Sequence, residues 1–193
     1  MSPSPLTLAT RYSRAPLAYD GTQLSSHFLL REFGLVGDAI AAFQGPCRVP
    51  LGRMVDLLDV RAGSPIRARR MLHFIAEHFE DDLERAILRQ HLLAAALLEE
   101  IHAETRGRAG ARRRGNDIHV GDRKLSVSIA TRSPVSTLLH LGVNVDPSGA
   151  PVPAIGLREL GVDAEALGQR LLARYAEEHA VAARSRVKVR PVK

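Results

Sequence analysis

RRRGNDIHVGDRKLSVSIAT, residues 112–131, is where the chain changes its period. In RKLSVSIAT, Leu125, Val127 and Ile129 fall on one face and Ser126, Ser128 and Ala130 on the other, the alternation of a β-strand. NDIHVG reads as a preceding strand and Gly121-Asp122 as the short turn between them, so the stretch predicts a β-hairpin. Lys124 opens the second strand. It is one of three lysines in a chain of 27 Lys and Arg, and the other two, Lys188 and Lys193, lie in the C-terminal tail. Arginine is a permanently charged planar fork, whereas lysine is a compact ammonium that acts as a point charge. A site needing such a point beside a phosphate or carboxylate selects lysine. A solvated turn explains it equally well.

Working outward, EDDLERAILRQHLLAAALLEEIHAETRG (80–107) is the clearest helix, with acids in its first turn and a glycine closing it. Downstream, STLLHLGVNVD (136–146) predicts a third strand, and GAPVPAIGL (149–157) is extended and broken by prolines. VDAEALGQRLLARYAEEHAVAAR (162–184) follows as a second long amphipathic helix, capped by Asp163. Towards the N-terminus, SPIRARRMLHFIAEHF (64–79) predicts a helix. Ser64 suits the N-cap, Pro65 the first turn, and Ile66, Met71, Leu72, Ile75 and Phe79 form an apolar stripe. DAIAAFQG (38–45) reads as a buried strand stopped by Gly45-Pro46, VDLLDV (55–60) as another strand, and SSHFLLREFG (25–34) as a short helix closed by Gly34. Residues 1–16 predict a flexible start, 17–185 a single domain and 186–193 a basic tail. This order implies an α+β fold: a mixed, mostly antiparallel sheet packed against helices. There is no Gly-x-Gly-x-x-Gly and no P-loop.

Composition narrows the function classes. A length of 193 residues fits one domain with a sizeable core. A net charge of +6 admits nucleic acid as a partner. Much of the excess sits in RGRAGARRR (106–114) and in the tail, where a solvated basic loop accounts for it too. Cys47 is the only cysteine, which excludes an intrachain disulfide and a cysteine-based zinc site. The N-terminus has no continuous apolar signal core, and the longest apolar run, LLAAALL (92–98), is too short for a bilayer. The expectation is a soluble cytoplasmic protein without a membrane partner.

Several groups are candidates for chemistry. His73, Glu77 and His78 suggest a zinc helix, but in a helix His78 lies roughly 140° from His73. A zinc pair needs i and i+4, so no metal site is assigned. His91 and His102 fit no template. Cys47, in GPCRVPLGR, is a nucleophile candidate for a hydrolase, although a small buried cysteine is the commoner case. Gln44 and Gly45 lead into Arg48 and Arg53, and a glycine turn with arginines after a strand can hold an anion. A plain structural turn is the alternative. On the hairpin, Asn116, Asp117, Lys124, Ser126 and Ser128 can line one polar floor for a phosphate- or carboxylate-bearing ligand. An antiparallel sheet with one wet face explains the same pattern.

NDIHVGDRKLSVSIAT also resembles the central segment of biotin protein ligases and lipoate ligases. Those families carry an Asn-Asp pair, an apolar residue, a short turn, and a catalytic lysine followed by a strand. Asn116, Asp117, Ile118, Lys124 and Leu125 match in order without a gap. LLHLGVNVD is similar to the ligase strand ending in an apolar-Asn-apolar-Asn signature, with Asn144 at the first asparagine. Over nearly its full length, through YDGTQL, FQGPC, RKLSVSIAT and GAPVPA, the chain resembles the archaeal and bacterial family called domain of unknown function 366.

The resemblance implies a class II synthetase or biotin ligase-like fold. It also implies ATP, ordinarily with Mg²⁺, and a carboxylic acid joined as an acyl-adenylate, then passed to an amine or hydroxyl. Lys124 would stabilise the developing charge, Asn116 and Asp117 would position the adenylate or its metal, and Asn144 would sit near the nucleotide. Two departures matter. QGPCRVPLGR matches the arginine-glycine-rich ligase loop poorly. Val127 stands where those ligases have a glycine, which closes space a biotin or lipoyl tail uses. The expected partner is therefore a small-molecule carboxylate or nucleotide, and a homodimer is compatible with the reading. The alternative is a non-catalytic nucleotide- or RNA-binding module using Lys124, Arg48 and the 106–114 loop.

Overall fold

A computed structural model describes residues 8–192. A five-stranded sheet in the order β1-β2-β3-β8-β7 forms its centre. These strands are β1 (Ala9–Ser13), β2 (Ala39–Val49), β3 (Ile66–His78), β7 (Ser126–Arg132) and β8 (Thr137–Asp146). Only β1 and β2 pair in parallel; every other pair in this sheet is antiparallel. A smaller sheet of β4 (Ala111–Arg114), β5 (Asp117–Val120) and β6 (Arg123–Lys124) lies beside it. The α+β expectation holds.

Alternation along the strands gives the large sheet two apolar faces. On one, Leu72, Phe74, Leu139, Leu141 and Val143 pack against α3 (Leu83–Thr105) and α4 (Ala164–Lys188) through Leu93, Leu97, Leu171 and Tyr175. On the other, Ala41, Phe43, Met71 and Ile75 meet Tyr19 and the short helix α1 (Phe28–Phe33). Both long helices start as expected for carboxylate caps: Asp82 accepts from the Arg85 N–H and Asp163 from the Ala166 N–H.

Two segments exchange the secondary structure expected of them. The segment 64–79 is not a helix but the 13-residue strand β3. From Met71 to His78 every residue is buried, because β3 is central and covered on both faces. A run covered on both sides loses its alternation and cannot be told from a buried helix by period alone. Conversely, 55–60 is no strand. Leu57–Ala62 form α2, started by the Asp56 carboxylate, which accepts the Leu58 and Asp59 N–H groups, and closed by Gly63 at φ 64°.

Smaller differences matter for the site. Ala9–Ser13 are ordered as β1 rather than flexible, and residues 1–7 of the expected flexible start lie outside the described residues. Part of the expected basic loop is β4. The hairpin forms across Gly121-Asp122, with Val120 opposite Arg123. Its second strand then divides, since Lys124 ends β6 and Ser126 begins β7 in the other sheet.

Gly45 does not stop β2, which continues through a bulge to Val49. The glycine is needed because segment 17–19 lies on it: a Cβ there would sit 1.9 Å from the Leu17 carbonyl oxygen. Gly45→Ala should therefore destabilise the protein by about 3 kcal/mol. Gly52→Ala, where a Cβ would meet nothing within 4 Å, should change stability by no more than about 0.5 kcal/mol. Urea denaturation of both variants measures the difference, and equal midpoints would refute this role for Gly45.

Candidate functional site

Lys124 sits where the chain crosses from the small sheet to the large one, and its backbone is bound on every side. Its N–H donates to the Pro153 carbonyl at 2.9 Å. Its carbonyl accepts from the Ile155 N–H at 3.1 Å and from Asn144 Nδ2 at 3.1 Å. Leu125, fully buried, donates to the Ile118 carbonyl and accepts from the Asn144 N–H. Held this way, the Lys124 side chain enters a cleft of about 280 Å³, where Nζ lies 2.7 Å from Asp117 Oδ2. The other oxygen of Asp117 accepts the Ser128 N–H at 3.1 Å.

The cleft brings together Asn116, Asp117, Lys124 and Ser128 of the hairpin segment with Asn144 of β8. The serine face, however, is not its floor. Ser126 is fully buried, and its Oγ accepts the Ile118 N–H at 2.9 Å. Ser128 reaches the edge of the cleft, but its hydroxyl donates to the Asn116 carbonyl and accepts from Gln90 of α3. Asn116 Nδ2 in turn donates to the Ser128 carbonyl at 2.9 Å. Ser128 holds the Asn-Asp pair in place, and Ser126 holds the neighbouring Ile118. The face that looks into the cleft is the apolar one, Val127 and Ile129, across from Gly142 and His140 of β8.

The glycine-arginine segment lies elsewhere. Gln44 and Gly45 line a separate open hollow with Arg69, Arg70 and Asp146, where Gln44 Nε2 donates to the Tyr12 hydroxyl. Arg48 is exposed. The arginines that do line the cleft are Arg53, paired with Asp20, and Arg67. Asp56 and Asp59 of the α2 segment join them. Burial raises the Asp59 carboxyl above its usual range, with Asp56 and Asp117 adding to the effect and Lys124 opposing it. Cys47 is buried, and burial pushes its thiol up to about 12, so it is no nucleophile at neutral pH.

This chain belongs to the family described as domain of unknown function DUF366. The family model matches residues 8–190. A protein of unknown function from Pyrococcus horikoshi is similar in structure, with a TM-score of 0.91 and 39% identity over 97% of this chain and 100% of that one. An uncharacterised protein of Methanocaldococcus jannaschii is 34% identical over 169 residues, 84% of this chain and 75% of its own length. The biotin protein ligase from Aquifex aeolicus, solved in complex with biotin and ATP, is similar at a TM-score of 0.57. It is 16% identical over 92% of this chain and 72% of that one, a likeness of fold alone. The fold is thus the class II synthetase-like fold of biotin and lipoate ligases. No helix among the described residues is long and apolar enough to cross a membrane.

The inner wall of the cleft carries a group that no motif revealed. Tyr19 stacks on His140, with ring centroids 3.8 Å apart and planes 8° from parallel. His140 Nε2 lies 3.1 Å from His73 Nδ1, and His73 Nε2 lies 3.3 Å from the Gly45 carbonyl oxygen. A carbonyl only accepts, so His73 donates from Nε2 and accepts at Nδ1. His140 must then donate from Nε2, which leaves its Nδ1 without a proton. Burial drives both rings neutral, pushing His73 down to about 3 and His140 well below its ordinary value. Tyr19, Phe43, His73 and His140 come from the 17–19 segment, β2, β3 and β8, and only tertiary packing assembles them.

These rings fix a pH dependence. In the unfolded chain each histidine takes up a proton as the pH falls through about 6.5. The folded protein keeps them neutral, so stability is whole above about pH 6.5. It declines below that by about 1.4 kcal/mol per pH unit for each such histidine. Urea unfolding of the wild type between pH 7 and 5 should show this decline, and His140→Phe should show a gentler slope. An unchanged slope in the variant would contradict a neutral His140.

Proposed function

We propose that the protein is an ATP-dependent ligase or acyltransferase that activates a small carboxylic acid as its adenylate, with Lys124 as the central charge. The observation that carries this reading is Lys124 itself: an ammonium in a cleft, aimed by Asp117 at 2.7 Å, with its backbone locked by Asn144 and segment 153–155. In the reaction a carboxylate oxygen of the acid attacks the α-phosphorus of ATP and pyrophosphate leaves. The acyl group then passes to an amine or hydroxyl, releasing AMP. Negative charge gathers on the α-phosphate oxygens during the first step, where a fixed point charge stabilises the transition state.

Asn116, Ser128 and Asn144 position the lysine and the Asn-Asp pair. Gln44, Gly45 and Arg48 have no part in this mechanism, because they line another hollow or face solvent. Asp56, Asp59 and Asp117 do not stand together as a ready-made cation site, but they line the cleft that would receive the Mg²⁺ accompanying ATP. That ion supplies charge neutralisation on the phosphates. Val127, Met71 and His140 line the cleft, and a valine where the ligases have a glycine suits an acid smaller than biotin or lipoate. A second reading, a nucleotide- or RNA-binding module without turnover, draws on the exposed Arg112–Arg114 of β4.

ATP–pyrophosphate exchange, run across a panel of small carboxylic acids, tests the proposal. At least one acid should stimulate exchange, and Lys124→Ala should slow it by about 10²- to 10³-fold. Nucleotide binding without exchange for any acid would favour the binding module. RNA binding that weakens steeply with salt would favour its RNA form.

A further inference from the structure

A second cluster lies at the far end of β3. Asp38 Oδ2 is 3.3 Å from His78 Nδ1 and 3.9 Å from His179 Nε2, and the three ligand atoms all lie within 4.8 Å of one another. The residues come from three places: just before β2, the last position of β3, and α4. His78 is about 24 Å along the strand from Met71, the β3 residue in the cleft, and alternation points it to the helix-covered face. The cluster is therefore independent of Lys124.

We infer that Asp38, His78 and His179 form a binding site for a divalent cation of the zinc type. Two imidazoles and one carboxylate are a donor set that such ions prefer over Mg²⁺ or Ca²⁺. Donors around a tetrahedral zinc ion lie about 3.3 Å apart. Asp38 and His78 already stand at that spacing, and His179 needs only to close in from the surface of α4. The surroundings support ligation. His78 Nε2 lies 3.1 Å from the Tyr175 hydroxyl, an oxygen that can accept its proton once Nδ1 binds metal. Asp38 Oδ1 is fixed by the Phe79 N–H at 2.8 Å, leaving Oδ2 for the cation.

His179 Nδ1 is buried without a hydrogen-bond partner, so the ring gains nothing from structural hydrogen bonding there. Asp38 is about one-third exposed, which keeps a path to solvent open. Of the charges nearby, Glu80 pairs with both Arg89 and Arg85. The zinc-helix pattern of His73, Glu77 and His78 fails here for a stronger reason than its spacing. On a strand, His78 faces away from the other two, toward Asp38 and α4.

The test uses the full-length protein, stripped with EDTA and titrated with Zn²⁺ by calorimetry. One saturable equivalent is expected, and at about 100 times the dissociation constant the Tm should rise by roughly 5 °C. His179→Ala should weaken binding at least about tenfold. His91→Ala, a histidine on α3 outside the cluster, should bind as the wild type does. Should His179→Ala fail to fold, Asp38→Asn makes the same comparison, because it keeps the oxygen that accepts from Phe79. No saturable binding would overturn the inference. So would equal affinity of the cluster variant and the wild type, or an equal loss in His91→Ala.

Discussion

The crossing at Lys124-Leu125 is the constraint on which the rest depends. Two residues carry the chain from one sheet to another, and buried backbone groups tolerate no missing partners. Here each is satisfied, by Ile118 of β5, by both the backbone and the side chain of Asn144, and by residues 153 and 155. The arrangement is stiff because the partners come from three separate segments, β5, β8 and residues 153–155. A slip of one residue would send each side chain of β7 to the opposite face and expose Leu125. Lys124 points into the cleft because the backbone on either side of it has nowhere else to go.

That geometry explains what the sequence could and could not reveal. The hairpin, β8 and the two long helices were legible because their periods and caps are local. Lys124, Asp117, Asn116 and Asn144 were legible as a motif because the crossing holds them together. Alternation correctly separated Ser126 and Ser128 from Val127 and Ile129, but it could not say which face was wet. The polar face is the one used internally, since Gln90 and Asn116 satisfy the Ser128 hydroxyl and Ile118 uses that of Ser126. The Tyr19–His140–His73 stack left no local trace, because its parts are far apart in the chain. Burial on both faces likewise hid β3 behind a helical-looking stripe.

Within the cleft, charge is balanced rather than one-signed. Lys124, Arg53 and Arg67 face Asp56, Asp59 and Asp117. An anion arriving alone must compete with Asp117 for Lys124 and meets two further carboxylates. An anion arriving with a cation satisfies both signs at once. In the proposed reaction a metal-bound triphosphate would have that character and a bare carboxylate would not. Val127, Met71 and the neutral His140 add an uncharged stretch to the same lining.

The two histidines of β3 show how one strand serves two environments. His73 is sealed in the stack, with one nitrogen bonded to His140 and the other to the Gly45 carbonyl, so it has no lone pair to offer. His78, five residues on, points to the opposite face and ends beside a partly exposed carboxylate. Its Nδ1 becomes available by moving one proton to the side of Tyr175. Strand parity decides which residue is inert and which can bind. A cation held there would tie α4 to the start of β2 and the end of β3, adding to the packing and the His78–Tyr175 hydrogen bond that already join helix to sheet. It would stabilise the scaffold without touching the cleft, so occupancy of this site and chemistry at Lys124 can vary independently.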